Sequence, residues 1–374
     1  MTSSRDVDTQ PKSETRATDS AVAALRRTTA IRERAGHLLQ RARDGGSQWF
    51  LVDDLALETA ASEVVDVTRV RYPDLQIPFH SRWRHFEAGD TDRKTLWGAE
   101  LDTYAMIDLA VVSVLLDAGA GANWRYDEAL SGQQFARSEG LGVASWHAFT
   151  AGLFSSDPRQ PLQADADGLR HLDTGRLAAA FQVGPSNPLL GLEGRVAVLR
   201  RLGDALAARP QVFGTPGRPG GLYDLLVYPD DQPTVAADDI LAAILTYFSE
   251  IWPAHNAIDN QPLGDCWHHR AVPGPGTTAG WMPFHKLSQW LTYSLLEPFQ
   301  WSGIHVDRLD SLTGLPEYRN GGLLLDTGVL RLRDAQWANR SWAVGDELVV
   351  EWRALTVALL DELAPLVQNR LGDS

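Results

Sequence analysis

Residues able to do chemistry gather in the last quarter of the chain. Within 285–297, reading HKLSQWLTYSLLE, the residues Leu287, Trp290, Leu291 and Leu295 fall at i, i+3, i+4 and i+8, which predicts a helix with these side chains in the core and a stop at Pro298. Lys286, Gln289 and Tyr293 then form a polar stripe beside that core face, following His285. An ammonium, an amide and a phenol in this order either face solvent or line a pocket. Further on, Leu315-Pro316-Glu317-Tyr318-Arg319-Asn320-Gly321-Gly322 leads into the apolar run 323–325, closed by Asp326. A carboxylate, a phenol and a cation in a Gly-rich loop beside a buried element can stabilise positive charge developing on a sugar, or orient a water. The same triplet also reads as an exposed turn. In the last predicted helix, 346–363, Leu348, Trp352, Leu355 and Leu359 read as core. Glu351 and Arg353 flank Trp352, either joining a charged network with Arg319 or Lys286 or standing as surface charges.

A second cluster, His80, Arg82, Arg84 and His85, contains no acid between Asp74 and Glu87. If 73–87 is extended, His80, Arg82 and Arg84 share one face, with Phe79, Trp83 and His85 on the other. Arginine offers bidentate contacts to a small anion, and the competing reading is pairing with the chain's surplus acids. His80, His85 and Glu87, or Asp265, His268 and His269, are the groups of metal-ligand type, but neither has a recognised ligand spacing. No metal and no cofactor are expected. The GxGxxG, GxxxxGK[ST], HExxH and GxSxG patterns are absent.

The elements that must position these groups are mainly helical. Residues 1–19 are too polar to order and are expected as a disordered tail. A helix is predicted from Ser20 to the Gly45-Gly46 stop, then a strand-like piece at 49–52 and a helix at 60–67. A buried helix over 103–118 carries Asp108 and Asp117, which need partners. Further helical patterns run over 134–154, 189–208 and 238–252. Residues 209–221, with three prolines and four glycines, suggest a division of the single large domain over 20–374 into subdomains near 209–235. The flexible stretch 271–280, AVPGPGTTAG, has the composition of a lid.

The whole chain is 374 residues with 34 Lys plus Arg against 48 Asp plus Glu, a net charge of −14. So acidic a surface repels nucleic-acid backbones and anionic lipids, leaving a small molecule as the expected partner. A single cysteine, Cys266, suits a reducing cytosol and forms no internal disulfide. The apolar run at 106–116 is too short to span a bilayer and no signal peptide precedes it, so a cytoplasmic protein is expected.

Six stretches carry a resemblance: YPDLQIPFHSRWRHFE (72–87), LLDAGAGANWRY (115–126), RSEGLGVAS (137–145), FHKLSQWLTYSLLEP (284–298), LTGLPEYRNGGLLLDTGVL (312–330) and ELVVEWRALTVALLDEL (347–363). Over nearly all of the chain after residue 24, the sequence resembles a family of unassigned domain function linked to the uracil catabolism that does not use the reductive pathway. That pathway, the resemblance implies, converts uracil to its nucleotide, opens the ring and releases urea from a ribosyl-urea intermediate. The C-terminal part also resembles the queuosine 5′-phosphate N-glycosylase (queuosine salvage) family, whose fold is helical and related to the helix-hairpin-helix DNA glycosylases. Its Lys-x-x-Gln helix, Asp-Tyr-Arg loop and late Glu-x-Arg helix match Lys286…Gln289, Glu317-Tyr318-Arg319 and Glu351-Trp352-Arg353. The chain departs from it with Glu317 for the loop aspartate and Asn320-Gly321-Gly322 for Val-Pro-Gln.

Together the two resemblances imply a mainly α, DNA-glycosylase-like fold with few short strands, and hydrolysis of ribosylurea, as its 5′-phosphate, to urea and a ribose product. In that reading Glu317 stabilises the oxocarbenium-like centre or activates water. Lys286 and Tyr318 orient the ribose or the leaving group, and Arg319 fixes Glu317. His285, Gln289, Asp326, Glu351 and Arg353 contribute to substrate binding, and His80, Arg82 and Arg84 to holding a phosphate. Two alternatives stand beside it: an amidohydrolase acting on a ring-opened ureido group, and a non-catalytic scaffold that associates with other pathway enzymes.

Overall fold

Apolar residues at helical spacing dominate the sequence, and helices dominate the computed structural model, which describes residues 10–100, 102–228, 232–252 and 256–372. The strands are two or three residues long and pair only in twos. The mainly α expectation is met. None of the described helices is long and apolar enough to cross a membrane. The chain forms two compact units, one of residues 1–77, 254–286 and 310–374, the other of 78–253 and 287–309. Residues 209–235, where a division was expected, lie inside the second.

The first unit is organised by its longest helix, Glu347–Leu371, which packs against Thr28–Arg43, Leu57–Arg71 and Tyr318–Asp326. One face of it supplies Leu348, Leu355, Leu359 and Leu363 to a core shared with Leu39, Phe50, Leu57, Leu324 and Leu330. A second face, Val350, Ala354 and Val357, meets Ile31, Leu38, Met282 and Phe284. Strand Phe50–Val52 runs antiparallel to Leu330–Leu332, and Cys266–His268 to Trp281–Pro283. Helix Gln10–Leu25 occupies much of the expected tail, of which 1–9 lie outside the described residues, and the chain breaks at Arg26-Arg27 before Thr28–Arg43.

The stretch 271–280 is fastened, contrary to the expected lid. Buried Arg34 donates through Nη1 to the carbonyls of Pro273, Thr278 and Trp281 at 2.9, 2.9 and 2.8 Å, and Gly280 N donates to Val272 O at 3.0 Å. Three carbonyls on one guanidinium replace the hydration that a mobile Gly/Pro loop would keep.

In the second unit the largely apolar helix Thr103–Leu115 is buried against Arg137–Thr150 and Leu192–Ala207. Its Asp108 finds its partners in the 164–220 region: Arg218 Nε at 2.7 Å, Ala164 N at 3.1 Å and Gly220 N at 2.7 Å. This accounts for the two glycines that end 209–221, where the backbone meets the helix. Gly220 and Gly221 are buried, and a Cβ on Gly220 would come within 2.8 Å of Tyr104 Cα. The segment around 80–86 is a helical turn, Trp83–Phe86, and not the extended alternation expected. Helix Lys286–Trp301 runs through Pro298 without stopping. Proline there offers no N–H to the carbonyl of Ser294, and that carbonyl instead accepts from Trp83 Nε1 at 2.9 Å, so the missing backbone bond leaves no unmet acceptor.

Candidate functional site

The hairpin of Cys266–His268 with Trp281–Pro283 closes next to the start of helix Lys286–Trp301, and Asp265 sits at that junction. The Asp265 carbonyl accepts from the N–H groups of Phe284 and His285 at 2.9 and 3.1 Å. Its carboxylate Oδ2 accepts from Lys286 N at 3.0 Å. Three consecutive backbone donors therefore converge on one residue, across a turn that puts His285 at φ +48°. Arg353 clasps the same carboxylate, Nη1 to Oδ1 at 2.9 Å and Nη2 to Oδ2 at 2.7 Å, while its guanidinium lies 4.0 Å above the Phe284 ring. Trp267 Nε1 adds a bond to Oδ1 at 2.7 Å. Burial opposes ionisation of Asp265, but the facing Arg353 and the N–H donors outweigh it and hold the carboxyl well below the usual carboxylate range.

From this base Lys286 reaches Glu317. Its Nζ lies 3.0 Å from Glu317 Oε1, with the two side chains 33% and 23% exposed, so the pair is sheltered yet reachable. Glu317 stands at the N-terminal edge of helix Tyr318–Asp326, where its carbonyl accepts from Gly321 N at 2.9 Å. The preceding Leu315 and Pro316 are buried, and Asn320 Nδ2 donates to Leu315 O at 2.8 Å, which fixes the loop from inside. The pair thus sets an ammonium donor against a carboxylate at the start of a helix.

The other sequence-predicted residues fall in several places. Tyr318 is 72% exposed, and Arg319 Nε donates to its hydroxyl at 3.2 Å. Asp326 is exposed at the far end of the same helix. His285 is buried with Nε2 3.0 Å from Leu25 O, and burial pushes its imidazole below its ordinary value, so the neutral ring donates there. Glu351, fully buried, bonds the Ser47 hydroxyl, lies 3.0 Å from His269 Nε2 and 3.4 Å from Arg41. It therefore anchors the 44–50 turn to the long helix. Glu351 and Arg353 are thus neither a joint network on Lys286 nor surface charges. They point to different partners, and Asp265 joins Arg353 to the Lys286 amide.

In the second unit Gln289 is fully buried, and His80 is exposed with its ring 6.3 Å from that of Trp290. Arg82 is fully buried, bonded to Ser113 Oγ at 2.6 Å and Ser138 O at 3.1 Å, with Asp117 at 3.3 Å. Arg84 pairs with Glu297 at 2.6 Å and Glu87 at 2.8 Å. These arginines are taken up by the surplus acids, the competing reading of that cluster. The metal-type group of Asp265, His268 and His269 also disperses, with Asp265 on Arg353 and His269 on Glu351. Among the described residues no three His, Cys, Asp or Glu side chains are placed to hold a metal ion.

Asp265, which joins Arg353 to the Lys286 amide, is a residue of this site that sequence reasoning weighed only as a metal ligand. Its signal was weak: one acid at a strand edge before a Cys-Trp-His run, with its partner Arg353 far along the chain.

A family described as Protein of unknown function (DUF1688) matches residues 24–374. The chain is 39% identical over 364 residues to Protein urg3 of Schizosaccharomyces pombe, covering 94% of this chain and 87% of that protein. It is 40% identical over 332 residues to Uracil catabolism protein 4 of Lachancea kluyveri, covering 79% of this chain and 75% of that protein.

Proposed function

The chain belongs to the DUF1688 family, and we propose that it serves uracil catabolism as a hydrolase that cleaves the N-ribosyl bond of ribosylurea or its 5′-phosphate. The pathway comes from the name of its Lachancea kluyveri relative. The reaction rests on one observation, the sheltered Lys286–Glu317 pair with its 3.0 Å contact. In the reaction the bond between C1′ and the urea nitrogen breaks, the electron pair leaves with the nitrogen, and water adds to C1′. Its products are urea, which takes up a proton, and a ribose.

Positive charge builds on C1′ and the ring oxygen as the bond lengthens, and an ionised carboxylate is the complement of that charge. Glu317 supplies it, or takes the proton of the attacking water. Lys286 holds the Glu317 carboxylate in place through their 3.0 Å contact and donates to the urea oxygen or the ribose, easing departure of a poor leaving group. Tyr318 and Arg319, next in sequence, are groups that can close on substrate. A metal-dependent amidohydrolase built on Asp265, His268 and His269 draws less support, because Asp265 and His269 are committed to Arg353 and Glu351.

The test is urea release from synthetic ribosylurea and its 5′-phosphate by purified, EDTA-treated protein, alongside Glu317→Gln. The variant is expected to lose at least about 100-fold in turnover with an unchanged melting temperature. Retention of most of the wild-type rate would remove Glu317 from this role, and no release from either substrate by the wild type would remove the reaction.

A further inference from the structure

Lys286 is the first residue of its helix, and its side chain has to leave a turn whose preceding residue, His285, lies at φ +48°. A residue at a helix start has no intrahelical partner for its N–H, and its direction is undefined unless something outside fixes that group. Asp265 does so. Its carbonyl takes the N–H groups of Phe284 and His285, and its carboxylate takes that of Lys286 at 3.0 Å. The same carboxylate also carries the two-pronged contact to Arg353 at 2.9 and 2.7 Å. Two functions are thus joined in one side chain, a helix cap and an ion pair, and they can be separated because a neutral amide oxygen caps as well as a carboxylate does.

Resting on the glycosidase reading above, we infer that Asp265 is a positioning residue of the reaction: through the cap it aims Lys286 at Glu317, and through Arg353 it fastens the hairpin to the long helix. The cap bears on turnover and the ion pair on stability. Misplacement of Lys286 by a fraction of its reach weakens the contact to Glu317 and to the leaving group, which lowers the chemical step more than substrate binding.

Asp265→Asn and Asp265→Ala separate the two. Both lose the ion pair, and both are expected to lower the melting temperature by a similar amount. Asp265→Asn keeps an oxygen for Lys286 N, and its kcat for urea release is expected to stay within about threefold of wild type. Asp265→Ala has no acceptor, and its kcat is expected to fall roughly tenfold or more, with KM changed less than about threefold. Amide hydrogen exchange at Lys286, followed by NMR, gives a reading that does not depend on turnover: protected in wild type and Asp265→Asn, fast in Asp265→Ala. Equal loss of kcat in the two variants, or a Lys286 amide equally protected in both, would overturn the positioning role. Wild-type protein that shows the expected exchange pattern but releases no urea would sink the glycosidase reading and leave the cap standing.

Discussion

Glu317 and Glu351 are carboxylates of one unit with different surroundings, and the difference assigns their work. Glu317 pairs with Lys286 and remains partly open to solvent. Glu351 is enclosed by Ser47, His269 and Arg41 with no surface left for a ligand. Removing Glu351 strands the Ser47 hydroxyl and the His269 N–H inside the protein, and Glu351→Ala is expected to cost roughly 3 kcal/mol of stability, measured by urea denaturation. The His269 tautomer follows from its other nitrogen: Nδ1 accepts from Ala271 N at 3.2 Å, so Nε2 carries the proton towards Glu351. A Glu351→Ala variant as stable as wild type would show that this enclosure is not what holds the 44–50 turn.

At the scale of elements, close approach explains features that composition alone misassigns. The glycines of 209–221 let a 3-10 turn sit directly on helix Thr103–Leu115, where Gly220 N donates to Asp108 and its Cα faces Tyr104. Gly220→Ala would place a methyl 2.8 Å from the Tyr104 backbone, which cannot swing aside as a side-chain tip can. A loss of about 1–3 kcal/mol is expected, read as a lowered denaturation midpoint with unchanged slope. A midpoint within error of wild type would mean that this contact yields easily. Helix Lys286–Trp301 makes the complementary point, since its internal Pro298 is tolerated because Trp83 takes the carbonyl that proline leaves unpaired.

Across the whole molecule, buried carboxylates tie acid stability to a few ion pairs. In the second unit Glu128 is buried, which opposes its charge, but Arg93, Ser131 and His147 outweigh this and hold its carboxyl at about 2, below an ordinary 4.5. A folded value below the unfolded one adds stability that is complete above about 4.5 and is lost as pH falls towards 2. Melting temperature is expected to drop through that window, and Glu128→Gln to flatten the drop while lowering stability at neutral pH. An unchanged slope in the variant would place the acid sensitivity elsewhere, with Asp265 the next group to test.

The sequence by itself determined the mainly helical class, the core faces at 3.6-residue spacing, and the order Lys286, Glu317, Arg353 that its resemblances singled out, because periodicity and local motifs are properties of neighbouring residues. Only the tertiary structure decided which charges meet. Asp265 joins Arg353 and the Lys286 amide, Glu351 turns inward to Ser47 and His269, and Arg82 and Arg84 are consumed by Asp117, Glu87 and Glu297. The 271–280 stretch is pinned by an arginine from a distant helix. In most of these cases partners lie tens to hundreds of positions apart. Whether a polar group faces solvent, a ligand or another charge is fixed by the desolvation of all neighbours together, and that is settled only when the chain has packed.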